Sequence, residues 1–192
     1  MKDSNGQTRD QDYFVRHENG TDRISLEEAL LLPRTPIFGI LDNLRSAHNV
    51  GSIFRTCDGV GAAHLAICGV SPVPPHRHLA KTALGSVDIV PWTHFETIEE
   101  AIADARIRGA QVLALEYTPE SVPLSEIELR FPVALVAGNE KDGLSAETLN
   151  LCDATVHLPM LGHKNSLNVS VAFGVALYEI LRRFQIESQA AR

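Results

Sequence analysis

From Thr35 onward, short apolar runs alternate with longer segments whose apolar residues recur at helical spacing. Ile37 to Leu41, His64 to Cys68, Asp88 to Val90, Gln111 to Leu115, Val133 to Ala137 and Thr155 to Leu158 read as strands. Between and after them, Val50 to Gly59, His78 to Leu84, Ile98 to Arg108, Ala146 to Leu151 and Asn168 to Phe184 read as helices, the last packing through Val171, Val175, Leu177, Tyr178 and Leu181. Thr97-Ile98-Glu99-Glu100 is a capping box, and Gly109 ends the helix that it starts. The strands are nearly continuous Val, Leu and Ala runs rather than apolar-polar alternations, which is the pattern of strands buried on both faces. This predicts an α/β fold: a mostly parallel sheet of about six strands with helices on both faces.

The chain of 192 residues fits one domain with an appendage. Residues 1–23 are polar apart from Tyr13, Phe14 and Val15 and read as a mobile arm. Ser25-Leu26-Glu27-Glu28 then caps a short helix that Pro33 stops, so the expected division is an arm with a short helix over 1–34 and a compact domain over 35–192. No apolar run is long enough to span a membrane and the first residues lack a signal-peptide core, so the expected location is the cytoplasm. Seventeen Lys and Arg against 24 Asp and Glu leave a net charge of −7, which excludes wrapping of nucleic acid by bulk positive charge but allows a local basic cleft. Cys57, Cys68 and Cys152 form no CxxC pair, and His76 and His78 have no paired acid or cysteine nearby, so neither a disulfide framework nor a metal site is expected.

In parallel sheets, ligands bind beyond the carboxyl ends of the strands. That rule selects the loops Asp42 to Asn49, Glu116 to Val122, Gly138 to Ser145 and Pro159 to Leu167. Asn49 is placed to cap the first of those five helices, and Arg55 lies on another face of it; by residue physics alone, a plain cap and a solvated arginine are the better reading. Gly138, directly after a buried strand, permits close backbone approach by a ligand, and Glu140 is the carboxylate nearest that strand end. Ser166, Asn168 and Ser170 interrupt an apolar entry into the last helix, which suits either capping or hydrogen bonding to a ligand. The chain has no GxxxxGK[ST], GxSxG or HExxH, and Gly59-Val60-Gly61 follows a helix instead of opening one, which argues against a nicotinamide-dependent oxidoreductase.

The segments HNVGSIFRTCDGVGA, VALVAGNEKDGLS and LPMLGHKNSLNVSVAFGVALYE, in this order, resemble the three motifs of the SpoU-type (TrmH-like) RNA 2′-O-ribose methyltransferases of the SPOUT superfamily. KTALGS, Lys81 to Ser86, is similar to a segment that many members carry between the first two. The resemblance covers about Ile37 to Phe184 and implies methyl transfer from S-adenosylmethionine to a ribose 2′-hydroxyl, without a metal. It also implies a C-terminal trefoil knot, which the general rule against knots gives no reason to expect, and a homodimer with its active sites near the subunit interface.

Matched residue by residue, the resemblance implies catalytic roles for Asn49, Arg55, Glu140, Ser166 and Asn168. It assigns the cofactor pocket to Leu115, Glu116, Ala137, Gly138, Asn139, Leu158, Met160, Ser166 and Leu167. Arg55 is the residue assigned to the ribose hydroxyl; a guanidinium scarcely gives up its proton, so holding phosphate and ribose is the conservative role. Arg45, Arg55, Arg77, Lys81 and Lys164 are the expected RNA contacts. The short stretch before Thr35, in place of the sizeable RNA-binding domain of some rRNA-directed relatives, favours tRNA over rRNA, whereas the short tail after Phe184 does not match the extended terminal helices of some tRNA-directed relatives. A noncatalytic RNA-binding protein that keeps the fold is the competing reading.

Overall fold

A computed structural model describes residues 26–190. The expected N-terminal arm, and Ser25 of the first capping box, lie outside the described residues. In chain order the elements are α1 (Leu26–Leu30), β1 (Thr35–Asp42), α2 (Ala47–Gly59), β2 (Ala62–Cys68), α3 (Arg77–Ala83), a 3-10 turn (Ser86–Asp88), β3 (Trp92–Phe95), α4 (Ile98–Ile107), β4 (Gln111–Leu115), β5 (Val122–Pro123), β6 (Val133–Ala137), α5 (Ala146–Leu151), β7 (Ala154–His157) and α6 (Val169–Ala190). Two compact units meet at the Leu32 to Pro33 step, with α1 in the first and everything from β1 onward in the second.

The second unit is built on one sheet of seven strands in the order β3-β2-β1-β6-β4-β7-β5, with every pairing parallel. Side chains alternate between the two faces, and both faces are covered. Ile37, Leu41, Leu65, Leu113 and Leu135 join a core with α2, α3 and α6. Phe38, Ile40, Ala66, Val112 and Val136 join a second core with α4. Double burial is why these strands carry uninterrupted apolar runs. Gly39 is a packing requirement on the first face: a Cβ there would lie 2.7 Å from Leu65 Cδ1 and 3.1 Å from Phe173 Cζ. The missing side chain makes room for the Phe173 ring, which is fully buried.

The sequence pattern and the structure part company at four places. Asp88 to Val90 is not a strand: the N–H groups of Asp88, Ile89 and Val90 are donated to Gly85 and Ser86 carbonyls, and the strand begins after Pro91 at Trp92. The two-residue β5 was not anticipated, because so short an edge has no periodicity to detect. Asn49 is not the N-cap of α2; Ser46 is, its Oγ accepting from the Asn49 N–H, so the helix starts earlier than expected. Finally, α6 runs to Ala190, and of the residues expected to pack, Val171, Val175 and Tyr178 stay about half exposed while Leu177 is fully buried.

Candidate functional site

Strand order determines which loops meet. Leu41 of β1 is in register with Ala137 of β6, so the segments leaving these two strands start side by side. β6, β4 and β7 are also neighbours. Beyond their carboxyl ends lies a cleft of about 460 Å³, lined by Leu115, Glu116 and Tyr117 after β4, by Ala137 to Lys141 and Gly143 after β6, and by His157, Leu158, Met160, Asn165 to Val169 and Ala172 around the β7 to α6 connection. The volume is that of a small-molecule site. Leu115, Leu158, Met160, Leu167 and Ala172 give it apolar walls, and Asn139, Ser166 and Asn168 add polar groups. All nine residues assigned to the cofactor by resemblance line this cleft.

At the edge of the cleft, one hydrogen-bonded chain joins the three motif segments. Glu140 accepts from the N–H groups of Arg45 at 3.0 Å and Ser46 at 3.2 Å, and from Asn49 Nδ2 at 2.7 Å. Asn49 Oδ1 in turn accepts from Asn168 Nδ2 at 3.2 Å, and from Ser170 Oγ at the long distance of 3.5 Å. Asn168 Oδ1 accepts from the Ser170 N–H at 3.0 Å and Ser170 Oγ at 2.7 Å, closing the first turn of α6. Partial burial acts to raise the Glu140 pKa, but the donors from Arg45, Asn49 and Ser46 outweigh it and hold the carboxyl below the usual glutamate range. The carboxylate thus stays charged and fixes the Asn49 amide with its nitrogen towards Glu140 and its oxygen towards Asn168.

A second set of contacts shapes the loop after β6. Asn139 Oδ1 accepts from the N–H groups of Lys141 and Asp142, and its carbonyl accepts from Gly143, whose φ of +68° favours glycine. Glu116 accepts from the N–H groups of Tyr117 and Leu144, which ties this loop to the end of β4. The loop's tightness adds a second requirement at Gly138, which also lines the cleft. The backbone that closely approaches Gly138 is the loop's own, since a Cβ there would run into Gly143 and come within 2.7 Å of the Leu144 nitrogen. Gly138 is needed for the loop to close whether or not a ligand comes near it.

The side chains of the other expected residues sit outside this network, which Arg45 enters only through its backbone N–H. Ser166 lines the cleft and hydrogen-bonds to no other described residue. Arg55 is exposed on α2, outside the cleft lining, and has no partner among the described residues. Arg77, Lys81 and Lys164 are exposed as well, whereas Arg45 forms an open ion pair with Asp142 at 3.4 Å. Sequence reasoning missed Ser46, and it noticed Ser170 without assigning it a role. The signals were present: Ser46 stands three residues before Asn49, the spacing of a cap and the N–H that it binds, and Ser170 stands two after Asn168, the spacing of an Asx turn. Tyr117 and His157 were missed too; their rings meet edge to face at 5.2 Å on the cleft wall.

Comparison with known proteins agrees with this geometry. The model of the SpoU rRNA Methylase family matches residues 36–178. The tRNA (guanosine(18)-2′-O)-methyltransferase of Escherichia coli (strain K12) is 36% identical over 145 residues, which cover 76% of this chain and 62% of that protein. The chain therefore spans less than two thirds of that relative's length. Among solved structures, the A. aeolicus TrmH/SpoU tRNA modifying enzyme aligns with a TM-score of 0.75 at 31% identity, covering 87% of this chain and 84% of that one. An AdoMet-bound rRNA methyltransferase from Sinorhizobium meliloti aligns with a TM-score of 0.72 at 32% identity, covering 79% and 57%. The family match runs through the same strands and loops that build the cleft, and the chain belongs to the SpoU rRNA methylase family.

Proposed function

We propose that this protein transfers a methyl group from S-adenosylmethionine to a ribose 2′-hydroxyl of RNA, with tRNA as the substrate class. The observation that carries the reading is the side-chain chain from Glu140 through Asn49 to Asn168 and Ser170 at the edge of a cleft of cofactor size. Two of the relatives described above are named for tRNA and one for rRNA, which supports an RNA substrate and favours tRNA.

The cleft fits the cofactor: apolar walls suit a nucleoside, and Asn139, Ser166 and Asn168 suit its polar amino-acid end. When bound, the cofactor supplies a methyl group already activated by a sulfonium, so alignment with the acceptor oxygen can provide much of the acceleration. In this reading Glu140 is a positioning residue that holds Asn49, while Asn49 and Asn168 present fixed amides to the ribose. Arg55 remains charged and holds phosphate and ribose; the hydroxyl proton leaves to solvent or to a phosphate oxygen rather than to the guanidinium.

A homodimer belongs to the same reading. Leu167, Val171, Val175 and Tyr178, at helical spacing, are 41%, 51%, 50% and 53% exposed. Leu167 also lines the cleft, so a second copy on this stripe would border the site. The proposal places the catalytic domain over 35–192 with the knot in its C-terminal part, the segment 1–34 as an appendage, and the work in the cytoplasm; no described helix is long and apolar enough to cross a membrane. Mapping ribose methylation by mass spectrometry in RNA from cells with and without the gene tests the function. An unchanged map, together with no methyl transfer by the purified protein to tRNA or rRNA, would overturn it.

A further inference from the structure

Three histidines that the proposed chemistry does not use form a cluster next to the site. The rings of His48 and His78 lie 5.5 Å apart and tilted by 58°, and those of His76 and His78 lie 5.8 Å apart and tilted by 47°. All three residues are exposed, and none is ion-paired with another described residue. They come from two elements that are locked together. Gly51 of α2 lets the Leu79 carbonyl and the Thr82 hydroxyl of α3 approach so closely that a Cβ would collide with both. Thr82 Oγ1 also donates to the His48 carbonyl at 3.1 Å. The rings are therefore anchored on a rigid seam rather than on a free loop.

Their setting indicates what such rings would meet. His48 immediately precedes Asn49, which belongs to the side-chain chain at the cleft edge. Arg77 and Lys81, both exposed and without an acidic partner among the described residues, share α3 with His78. Among the described residues, no group of three or more His, Cys, Asp or Glu is arranged to hold a metal ion. Planar rings interleaved with unpaired cations, beside the residues that position a ribose, match the two needs of an unpaired RNA nucleotide. Its base stacks on rings and its phosphate meets the cations.

We infer that His48, His76 and His78 form a stacking platform for an unstacked base of the RNA substrate next to the nucleotide that enters the site, with Arg77 and Lys81 holding its phosphates. The inference rests on the proposed RNA methyltransferase activity and deepens it by giving the substrate a second, sequence-tolerant contact. It also separates two kinds of affinity: stacking is indifferent to salt, and phosphate contact is not.

The test is equilibrium binding of tRNA and rRNA fractions, taken from cells lacking the gene, across a salt titration at pH 8. The His48→Ala/His76→Ala/His78→Ala variant should bind at least about fivefold more weakly with an unchanged log-log salt slope. His78→Phe, which keeps a ring, should stay within about twofold of wild type. Arg77→Ala/Lys81→Ala should instead flatten the slope by roughly 0.7 to 0.9 for each phosphate that is no longer neutralised. Thermal unfolding of each variant serves as the folding control, and these exposed sites should leave it unchanged. Triple-variant binding within twofold of wild type, or a weakening that comes with a flatter slope, overturns the platform. If the wild-type protein binds RNA, such a result leaves the proposed activity standing; if it binds neither fraction, both readings fall together.

Discussion

Replacing Glu140 by Gln isolates one oxygen and one charge at the point where the motif segments meet. In the native site Oε1 accepts from Asn49 Nδ2 and Ser46 N–H, and Oε2 accepts from Arg45 N–H. A glutamine offers one acceptor oxygen, so its amide nitrogen must face a donor on one side or the other. Asn49 cannot relieve the conflict by turning its amide over, because its oxygen is committed to Asn168. A hydrogen bond to a charged group contributes about 1.5 to 3 kcal/mol when shielded. Glu140 is exposed, so solvent reduces the net loss to roughly 1 to 2 kcal/mol. For a chain of this length that lowers Tm by roughly 2 to 8 °C. The carboxyl is held below its ordinary range in the folded protein, so its stabilisation is present above the unfolded value, about pH 4.3, and is lost as pH falls through the lower folded value. The Tm gap between wild type and Glu140→Gln should therefore be full at pH 7 and close in acid. Single-turnover methyl transfer should fall by about tenfold or more, a larger loss than that in calorimetric binding of S-adenosylhomocysteine, because Glu140 and Asn168 line the cleft whereas Asn49, which Glu140 holds, does not. Wild-type turnover together with an unshifted Tm at pH 7 would show that the Asn49 amide needs no such anchor.

Arg55→Ala should abolish methyl transfer and leave S-adenosylhomocysteine affinity unchanged by calorimetry, since the guanidinium is exposed outside the cleft lining; wild-type turnover would remove Arg55 from the mechanism. Gly138→Ala should both weaken that affinity and lower Tm by several degrees, roughly the effect of 1 to 3 kcal/mol of overpacking, because the added Cβ meets the Gly143 to Leu144 backbone. An affinity loss at unchanged Tm would assign the close approach to the ligand instead. Burial pushes the thiols of Cys57, Cys68 and Cys152 up to about 12. All three should thus resist alkylation by iodoacetamide at pH 8 in the native protein and react once it is unfolded, and rapid native labelling of any one would show that its packing opens.

The strands were legible because a sheet covered on both faces leaves its mark in every residue. Val133 to Ala137 is apolar at each position since alternate side chains enter different cores. The cleft was legible for a related reason, as parallel strands bring successive carboxyl ends to one edge. Helix α6 shows the limit of that logic. With Val171, Val175 and Tyr178 apolar as well as Phe173 and Leu177, its sequence as far as Tyr178 has no charged residue to say which side meets the sheet. Buried Phe173 was decided by the space at Gly39, on the first strand of the sheet and far away in sequence. Nor could any local pattern pair Glu140 with Arg45 or Asn49 with Asn168, which are 95 and 119 residues apart. Those contacts follow from β1 lying beside β6, and strand order is a property of the whole chain.

The choice of helix cap has a chemical consequence. Had Asn49 capped α2, its side-chain oxygen would have been used on the N–H groups of its own helix, as a cap requires. Ser46 takes that duty, and its Oγ accepts the N–H of Asn49 itself. Asn49 is then a first-turn residue with both ends of its amide free, and the loops after β6 and before α6 claim one end each through Glu140 and Asn168. At the other end of the chain of contacts, Asn168 does cap its helix, its Oδ1 accepting from Ser170, so only its nitrogen remains to reach across. The two asparagines look alike in the sequence, and both invite a capping assignment. One serves as a cap and the other does not, and this difference gives the amide-to-amide contact a single direction, from Asn168 nitrogen to Asn49 oxygen.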